Sequence, residues 1–379
     1  MKILIIMGGF FPGKKYGGPP VSVNNFCSLM KECDCYIYTH NHDLGETDIY
    51  DSVTSGWNDY GNCKVMYVDD KQYNITGFQN VINDINPDII YLQGLFQSCT
   101  LPCLAIAKKK KIKVFLAPRG ELCAGALAIK KYKKLPYIYF LKIAGLVQKV
   151  FFQSTSDEET DAIHSLLNVS IDRIHFLANI PSIPSQNYKR LYKRPGEGKF
   201  VFLARIHPKK NLVSAIRYFK SINGNVQFDI YGPIEDEEYW KECQKEIATL
   251  PNNVIVKYCG LVPHDKVHET FSQYDAFVFP TFSENYGHVI AESIVVGTPV
   301  VLTKGTTPWD DIDGVAGKTI ANANFDEATK YLNKIVDMND LEAQQLVLNT
   351  KRYANSKLGT NTICNQYTEV LNIIQFWEQ

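Results

Sequence analysis

Residues 275–302 read DAFVFPTFSENYGHVIAESIVVGTPVVL and decide the fold that we predict for the chain. Apolar runs of strand length lie at both ends, with a polar loop and a helix-length segment between them. Ser283 is suited to cap that helix, and Gly297 ends it before Pro299. We therefore predict a strand, a loop, a helix and a second buried strand. The loop would open at the carboxyl end of a parallel strand, where α/β sheets bind ligands.

Two glutamates stand eight residues apart in this stretch, Glu284 in the loop and Glu292 in the helix. Eight residues are slightly more than two helical turns, so both carboxylates can face one crevice. A carboxylate accepts two hydroxyl groups at once, which suits a sugar or a ribose. The free N–H groups at the helix amino terminus suit a phosphate. A bare pair at this spacing is usually two solvated glutamates, so the flanking residues have to decide.

The flanking residues are specific. Tyr286-Gly287 follows the first glutamate, and Gly-Thr-Pro-Val-Val at 297–301 follows the second. This pattern closely resembles the retaining glycosyltransferases of family 4. The resemblance implies an α/β protein of the GT-B fold, in which two Rossmann-like domains with parallel sheets face each other across a cleft. It also implies a donor site for a nucleotide sugar, with Glu284 at the hexose and Glu292 at the ribose; its residues in this stretch would be Glu284, Asn285, Tyr286, Gly287 and Glu292.

Length and composition fit such a protein. A chain of 379 residues, 45% hydrophobic and 21% charged, suits two globular domains. Residues 1–195 hold 23 Lys and Arg against 17 Asp and Glu, and the remainder holds 17 against 23, so the first half favours anionic partners. The ten cysteines form no Cys-x-x-Cys pair, which favours reduced core cysteines. We expect a cytoplasmic protein, since we find neither a signal peptide nor an apolar run of about 18 residues.

Strand-like and helix-like segments alternate along the chain, which indicates a mainly parallel sheet. We predict an acceptor-binding domain over 1–180, a proline-rich linker over 181–198 and a nucleotide-sugar domain over 199–360. The resemblance implies that a last helix, 361–379, crosses back to the first domain. Residues 40–62 are polar and irregular and include His40 and His42. This stretch is either a surface insertion or part of an acceptor site.

A glycine-rich loop follows the first predicted strand, Lys2–Met7. It does not spell Gly-x-Gly-x-x-Gly, so it is not a dinucleotide fingerprint. Taken alone, it is equally well a flexible turn. In the family that the chain resembles, a similar loop brings backbone close to the donor phosphate and sugar, which implies donor contacts for Gly17 and Gly18.

A second cationic signal follows the predicted strand 199–206. Arg205 and Lys210 bracket a loop before a helix, and two cations at a helix amino terminus fit a diphosphate. In the resembled family the matching Arg and Lys hold the donor pyrophosphate, and glycines after later strands border the nucleotide. That implies donor contacts for Gly232 and Gly260 as well. A plain surface location is the alternative for both cations.

The acceptor side is predicted from two further strand ends. Pro118-Arg119-Gly120-Glu121-Leu122 resembles a bacterial subgroup of family 4, in which many relatives carry a histidine where Arg119 stands. Arginine cannot act as a base at neutral pH but can hold anions near the reacting sugar. Gln93 stands where relatives often have histidine; it can hydrogen-bond a sugar but cannot exchange protons. We assign Gln93, Arg119 and Glu121 to the acceptor site, and Glu284, Arg205, Lys210 and Arg119 to the chemistry.

Two lysine clusters, 108–113 and 130–134, accompany apolar and aromatic residues. Basic plus aromatic side chains indicate either a peripheral contact with an anionic membrane or a solvated helix end beside the core. Nucleic acid is a weaker interpretation, because the stacking motifs of RNA-binding modules are missing. We therefore expect no nucleic-acid partner.

No resident cofactor or metal is expected. Gly317-Lys318-Thr319 lacks the first glycine of a phosphate loop. Asp311-Ile312-Asp313 matches the Asp-x-Asp of metal-dependent transferases, but three-residue matches arise readily by chance. The resembled family needs no bound metal for its chemistry, and the nucleotide diphosphate sugar is a co-substrate.

The pattern predicts a retaining transferase that moves a hexose from a nucleotide diphosphate sugar to a sugar or lipid-linked acceptor in surface polysaccharide biosynthesis. Two alternatives stay open: a GT-B epimerase acting on a nucleotide sugar, and a catalytically silent nucleotide-sugar-binding subunit that supports a partner enzyme. The epimerase requires ionisable groups that exchange a substrate proton. The silent subunit is disfavoured by the presence of both cations and both glutamates.

Overall fold

The computed structural model describes residues 1–182, 184, 186–284 and 286–377, apart from the side chains of His264 and Thr360. The chain divides into two compact units, Met1–Ile180 with Thr360–Gln379, and Pro181–Gly359. The predicted linker, 181–198, therefore falls within the second unit.

The first unit contains an eight-stranded sheet. Its strands are β1 Lys2–Ile6, β2 Asp34–His40, β3 Trp57–Tyr60, β4 Cys63–Val68, β5 Ile89–Gln93, β6 Lys113–Ala117, β7 Phe151–Ser154 and β8 Ile174–Phe176. Its helices up to residue 180 are α1 Gly18–Leu29, α2 Ile75–Ile85, α3 Thr100–Lys110, α4 Ala124–Ala128, α5 Lys131–Ile143 and α6 Asp157–Leu167. The strand order is β3-β4-β2-β1-β5-β6-β7-β8.

Short apolar strands form this sheet because both of their faces are buried. Within β1 the residues Ile3–Ile6 are completely buried, and β1 pairs in parallel with β2 and β5. Continuous apolar runs, rather than alternating ones, are typical of such strands. The exception is β3, which pairs antiparallel with β4 and lies inside the stretch predicted to be irregular. Its Trp57 ring packs against Tyr36, which explains how a polar segment joins the sheet.

The second unit contains a six-stranded sheet that is parallel throughout, in the order β11-β10-β9-β12-β13-β14. Its strands are β9 Glu197–Leu203, β10 Asn225–Tyr231, β11 Val254–Gly260, β12 Ala276–Phe279, β13 Val300–Thr303 and β14 Gly317–Ile320. Its helices are α7 Leu212–Arg217, α8 Glu237–Ile247, α9 Val267–Ser272, α10 His288–Val295, α11 Phe325–Asp337 and α12 Asp340–Leu358.

The strand, loop, helix and strand predicted for 275–302 are present as β12, a loop, α10 and β13. One detail of the prediction is wrong: Ser283 does not cap the helix. Gly287, at φ 79°, is the residue before α10, and it makes no side-chain cap. The left-handed backbone that only glycine adopts freely turns the chain into the helix here. Gly297 follows the helix at φ 88°, as its position predicted.

A final helix, α13 Thr360–Phe376, belongs to the first unit. Tyr367 anchors it, since its hydroxyl donates to the Ala178 carbonyl at 3.0 Å and accepts from Gln153 at 2.8 Å. Arg173 lies over the Trp377 ring, 4.9 Å from its centroid. Within the described residues, no helix is both long and apolar enough to cross a membrane.

Candidate functional site

The predicted phosphate-binding cations and Glu284 come from two neighbouring strands. β9 and β12 pair in parallel, so their carboxyl ends lie at the same edge of the sheet. Arg205 and Lys210 follow β9, and Glu284 follows β12. The topology therefore brings these three predicted residues to one edge of the second unit, where open α/β sheets bind ligands.

Lys210 and Glu284 form an ion pair. The Lys210 ammonium donates to Glu284 Oε1, and the two side chains are only 13% and 16% exposed. The ammonium also lies 5.7 Å from the centroid of the Phe279 ring. Few water molecules reach such a pair, so its attraction is weakly screened. The sequence analysis assigned Lys210 to the donor pyrophosphate and Glu284 to the hexose, and it did not predict that the two side chains pair.

Hydrogen bonds to backbone carbonyls hold the two loops of this ion pair together. The Phe282 N–H donates to the Lys209 carbonyl at 3.0 Å, and the side-chain amide of Asn211 donates to the Pro280 carbonyl at 2.9 Å. Asn211 lies at φ 58°, a conformation that asparagine tolerates better than most residues. The position of Lys210 opposite Glu284 is thus fixed by its neighbours on both sides.

Arg205 is placed differently. Its guanidinium donates to both carboxylate oxygens of Glu235, at 2.7 and 3.0 Å, and its side chain is 58% exposed. Glu235 follows β10, the other neighbour of β9. Both predicted cations therefore have a carboxylate partner in the protein, one shielded and one exposed. An incoming diphosphate would have to exchange partners with these carboxylates.

Gly232 and Gly260, which were predicted to contact the nucleotide, differ in whether a side chain would fit at their positions. Gly232 lies at φ 137°, and a Cβ there would come within 1.8 Å of the Ala204 carbonyl oxygen. Gly260 lies at φ 73° beside open space. The Gly232 N–H donates to the Gly260 carbonyl at 2.8 Å. Close packing against the end of β9 thus explains Gly232 without a ligand, whereas Gly260 leaves space beside the backbone.

Glu292 lies in α10 and is only 7% exposed. The Ser182 hydroxyl donates to its Oε1 at 3.1 Å and lies 3.3 Å from His268 Nε2. Burial raises the pKa of Glu292 to about 7, against the opposing effect of the Ser182 hydrogen bond. Glu292 therefore titrates near neutral pH and has partners different from those of Glu284.

The neighbouring predicted donor residues are partly described. Tyr286 is buried, its carbonyl accepts from the Trp309 indole, and burial raises its pKa. Its hydroxyl has no hydrogen-bond partner among the residues that the structure describes. Gly287 supplies the turn before α10. The prediction for Asn285 falls outside the described residues.

In the first unit, Arg119 and Gln93 contact each other directly. Arg119 stands at φ 58° after β6, and its Nε donates to Gln93 Oε1 at 2.9 Å. Its other nitrogens donate to Asn179 Oδ1 and to the Tyr91 hydroxyl, the latter at 3.5 Å. These partners are all neutral, so they orient the guanidinium without neutralising it. The buried Gln93 Nε2 has no hydrogen-bond partner among the described residues.

Glu121 is engaged within its own loop. Its Oε2 accepts from the N–H groups of Leu95 and Phe96, at 2.5 and 3.0 Å, and its Oε1 accepts from Gln97 at 3.2 Å. Burial raises its pKa in spite of these hydrogen bonds. These contacts hold the segment after β5 against the segment after β6.

The predicted glycine loop leads into α1. Gly17, at φ 70°, is the residue before the helix, and Gly18 begins it. The buried Asp43 accepts from the N–H groups of Lys14 and Lys15, at 2.8 and 3.0 Å. A carboxylate distant in sequence therefore holds the loop that precedes Gly17.

The sequence analysis did not predict several residues of these networks, among them Tyr91, Asn179, Ser182 and Glu235. Each is an ordinary residue type in a segment without a motif, and only the folded chain brings it to its partner. The Asp-x-Asp match is explained by structural ion pairs, since Asp311 pairs with Lys357 at 2.5 Å and Asp313 with Lys318 at 3.3 Å.

Comparison with known proteins gives a consistent picture. Residues 185–353 match the family described as "Glycosyl transferases group 1". An uncharacterized 41.2 kDa protein in the cps region of Klebsiella pneumoniae is 24% identical over 307 residues, 75% of this chain and 78% of that protein. The capsular polysaccharide biosynthesis glycosyltransferase CapM of Staphylococcus aureus is 24% identical over 176 residues, 45% of each chain.

Among solved structures, Anabaena Alr3699/HepE in complex with UDP and glucose superposes with a TM-score of 0.72 and 15% identity. The match covers 98% of this chain and 99% of that one. Together with the two α/β units, it confirms the predicted GT-B fold.

Proposed function

We propose that this glycosyltransferase, whose residues 185–353 match the group 1 glycosyl transferase family, moves a hexose from a nucleotide diphosphate sugar to a glycan or lipid-linked acceptor. The reaction retains the configuration of the sugar and serves capsular or another surface polysaccharide. The observation that carries the proposal is the shielded Lys210–Glu284 pair at the carboxyl ends of β9 and β12. A cation for a phosphate and a carboxylate for sugar hydroxyls stand there side by side.

The chemistry assigned to the second unit is electrostatic. Lys210 and Arg205 stabilise the negative charge that grows on the diphosphate as the bond to the sugar breaks. The phosphate takes the place of Glu284 beside Lys210, which releases Glu284 to accept hydroxyl groups of the hexose. Glu292 accepts ribose hydroxyls once its carboxyl is deprotonated. Gly260, Gly287 and the glycine loop at Gly17 and Gly18 contribute backbone contacts to the donor.

The transfer step is a front-face displacement. The acceptor oxygen bonds to the anomeric carbon on the face that the diphosphate leaves, and the bond from that carbon to the phosphate oxygen breaks. The acceptor proton passes to the departing phosphate oxygen. No protein base is required, which agrees with an arginine, rather than a histidine, at position 119. Arg119 and Gln93 orient acceptor or donor oxygens, and Glu121 supports their loops.

A peripheral membrane contact follows from the acceptor class and from the surface of α5. Tyr132, Tyr139 and Ile143 are 73%, 66% and 69% exposed, and they recur at helical spacing on one face. Lys130, Lys131 and Lys133 are exposed beside them. Apolar and cationic side chains on one helix suit an anionic bilayer surface. A cytoplasmic enzyme that meets a lipid-linked acceptor would bind the inner face in this way.

The experiment that tests the function is donor turnover. Purified protein is incubated with UDP-, GDP- or ADP-hexose and a lipid extract, and both free nucleotide and labelled glycolipid are measured. UDP-sugars come first, because the similar Anabaena structure contains UDP and glucose. We expect nucleotide release that depends on the extract and labels it. Epimerised sugar without transfer would favour an epimerase, and donor binding without turnover would favour a silent subunit.

A further inference from the structure

Three potential metal ligands converge at the carboxyl ends of two neighbouring strands in the first unit. His40 ends β2, His42 follows it, and Asp70 follows β4, which pairs with β2 in parallel. Asp70 Oδ1 lies 3.1 Å from His40 Nδ1 and 3.0 Å from His42 Nε2. The three ligand atoms lie within 4.8 Å of one another, and they form the one such cluster among the described residues.

The hydrogen-bond partners of His42 indicate that a proton or a metal ion lies between its Nε2 and the Asp70 carboxylate. Its Nδ1 lies 3.0 Å from the Asp43 carbonyl oxygen, which can only accept a hydrogen bond. Its Nε2 faces the Asp70 carboxylate at 3.0 Å, which also accepts. A neutral imidazole carries a single N–H group, so it can satisfy one of these partners and not both. Either a second proton or a metal ion must occupy the Nε2 side.

His40 distinguishes these two possibilities. Its Nδ1 is buried and has no hydrogen-bond partner in the part of the chain that the structure describes, although it lies close to Asp70 Oδ1. A second proton on His42 would leave this nitrogen unsatisfied, whereas one metal ion would engage both rings and the carboxylate. Ligands at zinc distances, separated by angles of 90–110°, lie about 2.9–3.4 Å apart, which matches both nitrogen–oxygen distances here.

We propose that His40, His42 and Asp70 bind one divalent transition-metal ion of the zinc class. Two imidazoles and one carboxylate favour zinc and its neighbours over magnesium or calcium, which prefer oxygen ligands. The histidine side chains are 17% and 14% exposed, whereas Asp70 is 75% exposed. The rings are thus held in place, and the carboxylate side leaves an entry path and a coordination position for water.

The ion would order the glycine loop of the first unit. His42 precedes Asp43, whose carboxylate accepts from the N–H groups of Lys14 and Lys15. The Tyr16 hydroxyl donates to the His42 carbonyl at 3.2 Å. Fixing His42 therefore fixes the loop that leads to Gly17. This role is structural, so it does not rest on the proposed transfer reaction and supplies no metal to it.

The test is calorimetric titration of the chelator-treated protein with zinc sulfate alone. The wild type should bind one ion, and Asp70→Asn and His42→Gln should each weaken binding by at least about tenfold. Asp48→Asn is the matched control, because it removes an exposed carboxylate of the same segment. Melting temperatures identify a variant that fails to fold, and the exposed position of Asp70 makes its variant the safer one.

Cobalt absorption separates this site from the ten cysteines. We expect a spectrum without a thiolate charge-transfer band, and hydrogen exchange at Lys14 and Lys15 that zinc slows in the wild type but not in Asp70→Asn. Equal zinc affinity in the wild type and Asp70→Asn would overturn the proposal. A thiolate band accompanying the bound ion, or the absence of zinc binding, would also overturn it.

Discussion

At the scale of single residues, Lys210 and Arg205 are both proposed to bind the donor diphosphate, although Lys210 is shielded from solvent and Arg205 is exposed. Lys210→Ala or Arg205→Ala should lower kcat/KM at least tenfold, since charged contacts near a leaving group contribute about 1.5–3 kcal/mol each. The loss should be larger for Lys210, because its site is shielded while Arg205 is exposed. Steady-state kinetics with the identified donor measure both.

Arg217→Ala is the control for this comparison. Arg217 pairs with Glu246 at 2.6 Å elsewhere in the second unit, so its loss also breaks an ion pair. Its kinetics should match the wild type. If folded Lys210→Ala and Arg205→Ala proteins also showed wild-type kinetics, neither residue would hold the diphosphate.

Substitutions of Glu284 and Glu292 should affect different kinetic constants. Glu284→Gln should mainly lower kcat, because a contact to the reacting sugar strengthens as the bond breaks. Glu292→Gln should weaken the donor and the free nucleotide alike, raising KM more than it lowers kcat. The Lys210–Glu284 pair sharpens this expectation. Without the carboxylate, Lys210 is free to meet the phosphate, so free nucleotide should bind Glu284→Gln no more weakly than the wild type.

Calorimetry with the nucleotide diphosphate, alongside steady-state rates, decides the matter. Loss of nucleotide binding in Glu284→Gln together with normal binding in Glu292→Gln would reverse the assignment of the two carboxylates. Full activity in both variants would make the stretch a scaffold.

The buried carboxyl of Glu292 should also leave a signature in the pH dependence of stability. Burial raises its pKa from 4.5 to about 7. The folded state then holds this proton more tightly than the unfolded state, so the stabilisation is complete below about pH 4.5 and is lost as pH rises through 7. Because glutamine does not titrate, the free energy of unfolding of Glu292→Gln should gain at least about 1 kcal/mol relative to the wild type between pH 5 and 8.

Glu246 provides a control of opposite sign, since hydrogen bonds, first from Arg217 and then from Lys220, lower its pKa to about 2. Its stabilisation is present above pH 4.5 and is lost as pH falls through 2. The stability difference between Glu246→Gln and the wild type should therefore stay constant from pH 5 to 8. Denaturant titrations across this range measure both variants. Parallel curves for Glu292→Gln and the wild type would contradict a raised pKa.

At the scale of elements, Gly232, which follows β10, and Gly260, which ends β11, give a stability prediction. Gly232→Ala places a Cβ against the Ala204 carbonyl at a disfavoured φ, so it should lower the free energy of unfolding by more than about 3 kcal/mol. Gly260→Ala meets open space and should lower it by only about 1–2 kcal/mol, the strain of the left-handed backbone. Chemical denaturation compares the two. Equal losses would show that the close approach to β9 does not matter.

Most of the strands were predictable, and the side-chain partners were not. Continuous apolar runs bounded by polar or turn residues form β1, β5 and β12, so the local sequence alone predicts these buried strands. β3 is short and polar, and it forms a strand because it pairs antiparallel with β4. Its local sequence does not predict a strand. The ion pair between Lys210 and Glu284 joins residues 74 positions apart. Motif resemblance named both residues, but only the parallel pairing of β9 with β12 brings them together.

At the scale of the whole molecule, α5 gives the last prediction. Its exposed Tyr139 and Ile143 can insert among headgroups, while the lysines at 130, 131 and 133 attract anionic lipid. Vesicles with phosphatidylglycerol should bind the protein at low salt and release it as salt rises, because the Debye length falls from about 10 Å at 0.1 M to about 3 Å at 1 M. Vesicle sedimentation measures both the binding and its salt dependence.

Two variants separate the contributions of charge and apolar surface. Replacing Lys130, Lys131 and Lys133 by Gln should abolish the salt dependence, at about 1 kcal/mol for each lysine near the surface. Tyr139→Ser should weaken binding at every salt concentration. Replacing Lys330 and Lys334, two exposed lysines of α11 outside both predicted lysine clusters, is the control and should have little effect. If the wild type fails to bind even at low salt, or if the two lysine variants lose binding equally, α5 is an ordinary solvated surface and the acceptor reaches the enzyme another way.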